Sequence, residues 1–255
     1  MTTTSKKQTT IAKEVSLTGV GLHTGNEVTL KFCPAEANSG YVFKRVDLEG
    51  QPTIKADASY VVSTQRGTNL ENGNVVINTS EHVLAALVGL EIDNVLIEID
   101  AAEPPIMDGS SKHFIEAIEK AGVQELEEER EEYIVKEIIN LKDEESGSEI
   151  TLIPADSYQV TTMVDFGTKI LGTQNASLDS ISEFKSEIAD SRTFSFLHEL
   201  EMLLDNGLIK GGDLNNAIVY VDKEISDVTL KKLQKAFNKT DISVTPNGIL
   251  NNLTL

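Results

Sequence analysis

Hydrophobic and polar residues alternate along residues 27–32 (Glu-Val-Thr-Leu-Lys-Phe), which predicts a half-buried strand. Residues 33–40, with Pro34 and Gly40, read as a turn, and residues 41–46 return as a second strand. Val75, Val76 and Ile77 form another short β-rich run. Asn78, Thr79 and Ser80 follow as good helix N-caps before Glu81. Val83, Ala86, Leu87 and Leu90 then fall at i, i+3, i+4 and i+7, which gives a helix one buried face. A strand is expected at 94–99, then a turn through Pro104, Pro105, Ile106, Met107, Asp108 and Gly109. A second helix, capped by Ser110 or Ser111, carries Phe114, Ile115 and Ile118 and stops near Gly122. The first 122 residues or so therefore read as one α+β unit.

Residues 125–132 (Glu-Leu-Glu-Glu-Glu-Arg-Glu-Glu) break that pattern and read as a solvated helix end or linker. Beyond them the pattern restarts. Glu149-Ile150-Thr151-Leu152, with Pro154-Ala155-Asp156, echoes Glu27-Val28-Thr29-Leu30 with Pro34-Ala35-Glu36. The expected fold class is α+β, with two similar α+β domains at 1–126 and 127–255, each a β-sheet packed with helices. The second carries extra material: a helix at 194–206 (Phe196, Leu200, Leu203, Leu204), broken by Gly207, Gly211 and Gly212, and a strand at 217–221. A short amphipathic helix at 231–237 and a strand-like alternation at 248–255 end the chain. In the first half the comparable strand, 75–77, runs straight into the helix holding Glu81 and His82. The second half has no such helix, so the chain is expected to end mid-fold, with an incomplete C-terminal domain and an exposed edge at Leu255.

Composition narrows the function classes. A 40 % hydrophobic and 25 % charged chain of 255 residues has enough apolar surface for true cores. With 41 acidic against 22 basic residues, its net charge of −19 opposes nucleic acid and anionic headgroups. No stretch approaches the ~20 apolar residues of a membrane-spanning helix. The polar start, residues 1–10, lacks the apolar segment of a secretion signal. One cysteine, Cys33, leaves no intrachain disulfide and no Cys-rich zinc ribbon. A cytoplasmic setting is expected.

The four histidines are His23, His82, His113 and His198. None has the His-Glu-x-x-His spacing of a helical zinc protease. On spacing alone His82 reads as a hydrogen-bonded structural histidine. Against that, Ala85, Ala86 and Gly89 follow it at three, four and seven residues, which leaves room on its side of the helix for an ion or ligand. Glu81 would sit in the first turn, where the helix dipole favours a carboxylate. Taken alone, Thr193 reads as a cap or turn residue, His23 as structural, and Asp108 as a turn cap.

Five motifs in order carry a resemblance. They are Gly19-Val20-Gly21-Leu22-His23-Thr24-Gly25, Ser80 to Leu87 (Ser-Glu-His-Val-Leu-Ala-Ala-Leu), Ile92-Asp93-Asn94, Pro105-Ile106-Met107-Asp108-Gly109-Ser110, and Ser191-Arg192-Thr193-Phe194. Together the chain resembles, from end to end, the zinc-dependent UDP-3-O-acyl-N-acetylglucosamine deacetylases of lipid A synthesis. Gln65-Arg66-Gly67-Thr68 and the acidic character resemble the Bacteroidetes form, in which a 3-hydroxyacyl-carrier-protein dehydratase is fused downstream. The resemblance implies Zn2+ as cofactor with His82 as a metal ligand, and Glu81 as general base. It implies Thr193 as donor to the oxyanion. Phe194, Gly211 and Gly212 would bind substrate, within a βαβ-like insert of the second domain that forms the acyl passage. The partner would be the UDP-linked, acylated N-acetylglucosamine substrate.

The family's second histidine and aspartate ligands, its phosphate-binding lysine and its general-acid histidine have no counterparts here. The resemblance therefore implies a fragment of a working deacetylase. The alternative is a non-catalytic paralogue that binds the acylated sugar nucleotide without turning it over.

Overall fold

The computed structural model describes residues 6–205 and 210–252. The helix break expected at Gly207 and the edge expected at Leu255 lie outside these residues. Its first strands are β1 (Lys7–Ile11), β2 (Val15–Val20), β3 (Glu27–Pro34), β4 (Tyr41–Arg45) and β5 (Thr53–Lys55). A meander of β6 (Val61–Ser63), β7 (Asn69–Asn72) and β8 (Val75–Ile77) delivers the chain to α1 (Glu81–Gly89). Then come β9 (Val95–Ile99), α2 (Lys112–Ala121) and β10 (Val123–Glu129). The main sheet has the order β2-β3-β9-β4-β5, antiparallel except where β4 lies parallel to β9.

The alternation seen in the sequence is what this sheet uses. Val28, Leu30 and Phe32 of β3 point into the core beside Val95, Ile97 and Ile99 of β9. Phe32 meets Phe114 of α2 edge-to-face, ring centroids 6.5 Å apart. The alternate residues face outward, where Lys31 and Lys44 both bond Glu98, at 2.7 and 3.1 Å. On α1, Val83, Ala86 and Leu87 are fully buried, as the helical spacing requires.

Two details differ from the sequence reading. Ser80 and Ser111 hold the N-cap positions of α1 and α2, but neither side chain caps its helix. Ser80 donates its hydroxyl to the Thr68 carbonyl, and Ser111 to the His82 carbonyl. The acidic run is neither helix end nor linker at its start: it is β10, paired antiparallel with β1 through Thr9↔Glu125 and Ile11↔Val123. Backbone pairing with a distant strand outweighs a composition that disfavours β-structure. The connection between the halves therefore follows β10, and the 126/127 boundary falls inside that strand. Arg130, just after β10, clamps it with hydrogen bonds to the Glu91 carbonyl and the Asp93 carboxylate.

Tyr41 is a half-buried titratable group in this sheet. Its hydroxyl donates to the Ile92 carbonyl at 2.5 Å. Burial, with the Asp93 carboxylate nearby, pushes its pKa well above the usual 10.0. A raised folded-state pKa leaves this contribution intact below pH 10 and removes it as pH climbs higher. Urea titrations of Tyr41→Phe are thus expected to lose less stability above pH 10 than the parent does. Equal alkaline slopes would refute the assignment.

The second half is also α+β. β11 (Ile139–Lys142) pairs with β12 (Glu149–Leu152), and β13 (Val160–Asp165) with β14 (Thr173–Leu178), as two antiparallel hairpins. α3 (Phe184–Glu187) follows, then β15 (Phe194–Phe196), α4 (Leu197–Asp205) and β16 (Ile218–Tyr220). β15 and β16 are parallel, so the segment forms the expected βαβ unit. The helix begins three residues later than its spacing implied, because Phe194 and Phe196 serve as strand residues. α5 (Asp227–Ala236) is capped by Ser226, whose hydroxyl accepts from the Thr229 amide, and β17 (Ile242–Val244) pairs with β18 (Leu250–Asn252). Leu197, Leu200, Leu214, Val219, Leu233 and Phe237 share a second, smaller core.

Candidate functional site

The start of α1 is held from several directions. The Glu81 carboxylate accepts the Thr68 amide at 2.7 Å, and the Ser80 amide and hydroxyl both donate to the Thr68 carbonyl. Ser111, at the start of α2, holds the His82 carbonyl at 3.0 Å. His82 and Glu81 therefore stand on a fixed helix end, with His82 Nε2 4.0 Å from Glu81 Oε1. Burial lowers the His82 pKa below its usual 6.5, opposed by the charges of Glu81 and Asp108. The imidazole is accordingly neutral near pH 7, the form able to ligate a metal.

Of the small residues expected to leave room on this side of the helix, Gly89 lies two turns beyond His82 and has a packing partner. The Phe184 ring of α3 lies against Gly89, where any added Cβ would overlap it. Gly89 thus receives an aromatic side chain from a segment that the local pattern could not reveal.

The loop at 108–111 joins α1 to the second half. Thr193 donates its amide to the Gly109 carbonyl at 2.7 Å, and Arg192 donates Nε to the Asp108 carbonyl at 2.6 Å. Gly109 has φ +88°, and a Cβ there would overlap the Asn216 carbonyl oxygen, so only glycine lets the turn at Asn216 approach this closely. The Thr193 carbonyl in turn accepts the Ile218 amide from β16. Burial works to raise the Asp108 pKa, but hydrogen bonds from Ser110, with the charges of His113 and Arg192, hold it below the usual range. Asp108 is thus more than a turn cap: it is a negative charge felt by His82.

Phe194, Gly211 and Gly212 do not line one space. Phe194 faces a cavity of ≈ 460 Å³ with Phe166, Ile170, Leu171 and Tyr220. Gly211 and Gly212 face another of ≈ 750 Å³, with Val20, Met107, Asp108 and His113. The Gly211 amide also donates to the Leu22 carbonyl, and a Cβ on it would overlap the Gly21 carbonyl oxygen, so this glycine has a packing reason as well. The sequence reading missed the aromatic cluster in which Phe194 meets Phe166, Phe196 and Tyr220, edge-to-face. The Phe-Ser-Phe alternation at 194–196 was the available signal. His23 is held through its backbone amide by Glu103 and by a ring nitrogen at 3.1 Å from the Arg66 carbonyl, as a structural role demands.

Catalytic zinc usually takes three protein ligands. Among the described residues no three of His, Cys, Asp and Glu are grouped to hold a metal. They supply one neutral imidazole, and so do not by themselves fit the complete site. Also among them, no helix is long and apolar enough to cross a membrane.

Comparison with known proteins adds the following. The family model for UDP-3-O-acyl N-acetylglycosamine deacetylase, LpxC, matches residues 8–236. The chain is 44 % identical over 250 residues to the bifunctional enzyme LpxC/FabZ of Porphyromonas gingivalis, covering 98 % of this chain and 54 % of that protein. It is 43 % identical over 251 residues to the protein of the same name in Chlorobaculum tepidum, covering 97 % and 54 %. Against the UDP-3-O-acyl-N-acetylglucosamine deacetylase of Teredinibacter turnerae it is 42 % identical over 220 residues, covering 85 % and 72 %. The chain thus spans about half the length of its bifunctional relatives.

Proposed function

Because the chain belongs to the UDP-3-O-acyl N-acetylglycosamine deacetylase family, we propose that its protein removes the N-acetyl group of UDP-3-O-acyl-N-acetylglucosamine in lipid A synthesis. The observation that supports this most is the loop at 108–111, which ties His82 through Ser111 and Thr193 through Gly109. Two residues with complementary chemistry are thereby tied to one loop, which supports reading the halves as two α+β domains with the site between them.

In this reading Glu81 takes a proton from the attacking water as the water oxygen bonds the acetyl carbon. The Thr193 hydroxyl donates to the oxyanion of the tetrahedral adduct. The carbon–nitrogen bond then breaks to give acetate and the glucosamine amine. The cofactor in this reading is Zn2+, which when bound supplies Lewis-acid activation. His82 would be one ligand, and among the described residues no further ligands are grouped to complete the site; the departing amine takes a proton from a general acid. Phe194 beside the first cavity and Gly211 and Gly212 beside the second would each contact the substrate, and the bifunctional naming of two relatives supports a dehydratase domain fused to this chain. The site of action is the cytoplasm.

Complementation tests the reading. In a bacterium whose own deacetylase is switched off, the native protein should restore labelled lipid A, and a His82→Ala form should not. Failure of the native protein at normal expression would contradict the proposal.

A further inference from the structure

Glu103 is fully buried. Buried carboxylates are normally matched by a cation, and among the described residues no Lys, Arg or His side chain forms an ion pair with this one. Instead it accepts from four donors: the His23 amide, the Thr24 amide, the Thr24 hydroxyl and the Thr79 hydroxyl, at 2.9 to 3.1 Å. Gly21 leaves the space for it, since a Cβ there would lie 2.6 Å from Glu103 Oε2. The loop at 21–25 is thus wrapped around a single anionic side chain.

The fourth donor matters most. Thr79 immediately precedes Ser80, Glu81 and His82, and it holds φ 50°, a left-handed conformation costly for a β-branched residue. Two contacts fix it there: its amide donates to Asn69 of β7, and its hydroxyl to Glu103. Thr79 also packs on Gly67, where an added Cβ would lie 3.1 Å from Thr79 Oγ1 and 3.4 Å from Glu81 Oε1.

We propose that Glu103 is a positioning residue for deacetylation: by holding Thr79 in its strained conformation against the 21–25 loop, it sets where Glu81 and His82 stand. This rests on the deacetylase reading above. Glutamine at 103 would turn one acceptor into a donor facing amide donors, leaving buried polar groups unmatched. Thr79 would then relax, and the first turn of α1 would shift with it. A displacement of about 1 Å at a reacting group costs roughly 10²-fold in rate.

The test uses the native protein with four forms: parent, Glu103→Gln, Thr79→Val and Thr79→Ser. Glu103→Gln and Thr79→Val should lower kcat roughly 10- to 100-fold with KM changed less than about threefold, and Thr79→Ser should restore the parent rate. Hydrogen exchange gives a reading independent of turnover. The Thr68 amide, bonded to Glu81, should exchange faster in Glu103→Gln and Thr79→Val, with the amides of β9 unchanged. If Glu103→Gln does not fold, the Thr79 pair decides alone. Parent-like kcat and Thr68 protection in Thr79→Val would overturn the proposal. If the parent releases no acetate, the deacetylase reading fails, and Thr68 exchange still decides the role of Glu103.

Discussion

Replacing Glu81 with glutamine is expected to slow acetate release by the native protein roughly 10²–10⁴-fold, the span of general acid–base catalysis. Glutamine has the same shape and can still accept the Thr68 amide through its side-chain oxygen, so the start of α1 should keep its geometry. What it cannot do is take up a proton. A purely structural role for Glu81 predicts something different: a charge in the first turn of α1 interacting with the helix dipole, worth about 0.3–1 kcal/mol. The two roles separate cleanly in a pair of measurements. Catalysis lowers kcat at saturating substrate with little change in thermal midpoint, whereas a dipole role lowers the midpoint slightly and leaves kcat alone. Unchanged turnover in Glu81→Gln would remove it from the mechanism.

Thr193→Val should cost about 10²–10³-fold in kcat, as loss of one oxyanion donor does elsewhere. Valine matches threonine in shape, and the backbone of residue 193 is fixed on both sides, by the Gly109 carbonyl and the Ile218 amide. The segment should therefore stay in place while the hydroxyl disappears. Thr193→Ser keeps the donor and should keep most of the rate. If valine and serine forms turned over alike, Thr193 would be only the anchor that joins β15 to the 108–111 loop.

The elements most legible in the sequence were those whose burial follows a local period. Val83, Ala86 and Leu87 mark α1, and Val28, Leu30 and Phe32 mark β3, because one face of each element packs on the core. The roles proposed for Glu81 and His82 came from the motif resemblance, since spacing alone left His82 a structural histidine. Features that depend on distant partners were not legible. β10 is a strand because β1 offers a backbone ladder more than a hundred residues away, and no property of its glutamates announces that. That Phe184 packs on Gly89 from another element was likewise hidden from the local pattern. Glu103, between two alanines and two prolines, drew no reading from the sequence, and its part in the structure shows only in the 21–25 loop folded around it. The motif order singled out the 108–111 loop and Thr193, while the bond from the Thr193 amide to the Gly109 carbonyl depends on a distance no sequence pattern expresses.

Acetate release from UDP-3-O-acyl-N-acetylglucosamine by the native protein, purified from its own cells and followed with and without a zinc chelator, tests the central claim most directly. Turnover that stops with chelator, returns with Zn2+ and is lost in Glu81→Gln is the predicted result. A folded native protein that binds the acylated sugar nucleotide and releases no acetate with Zn2+ present would contradict it.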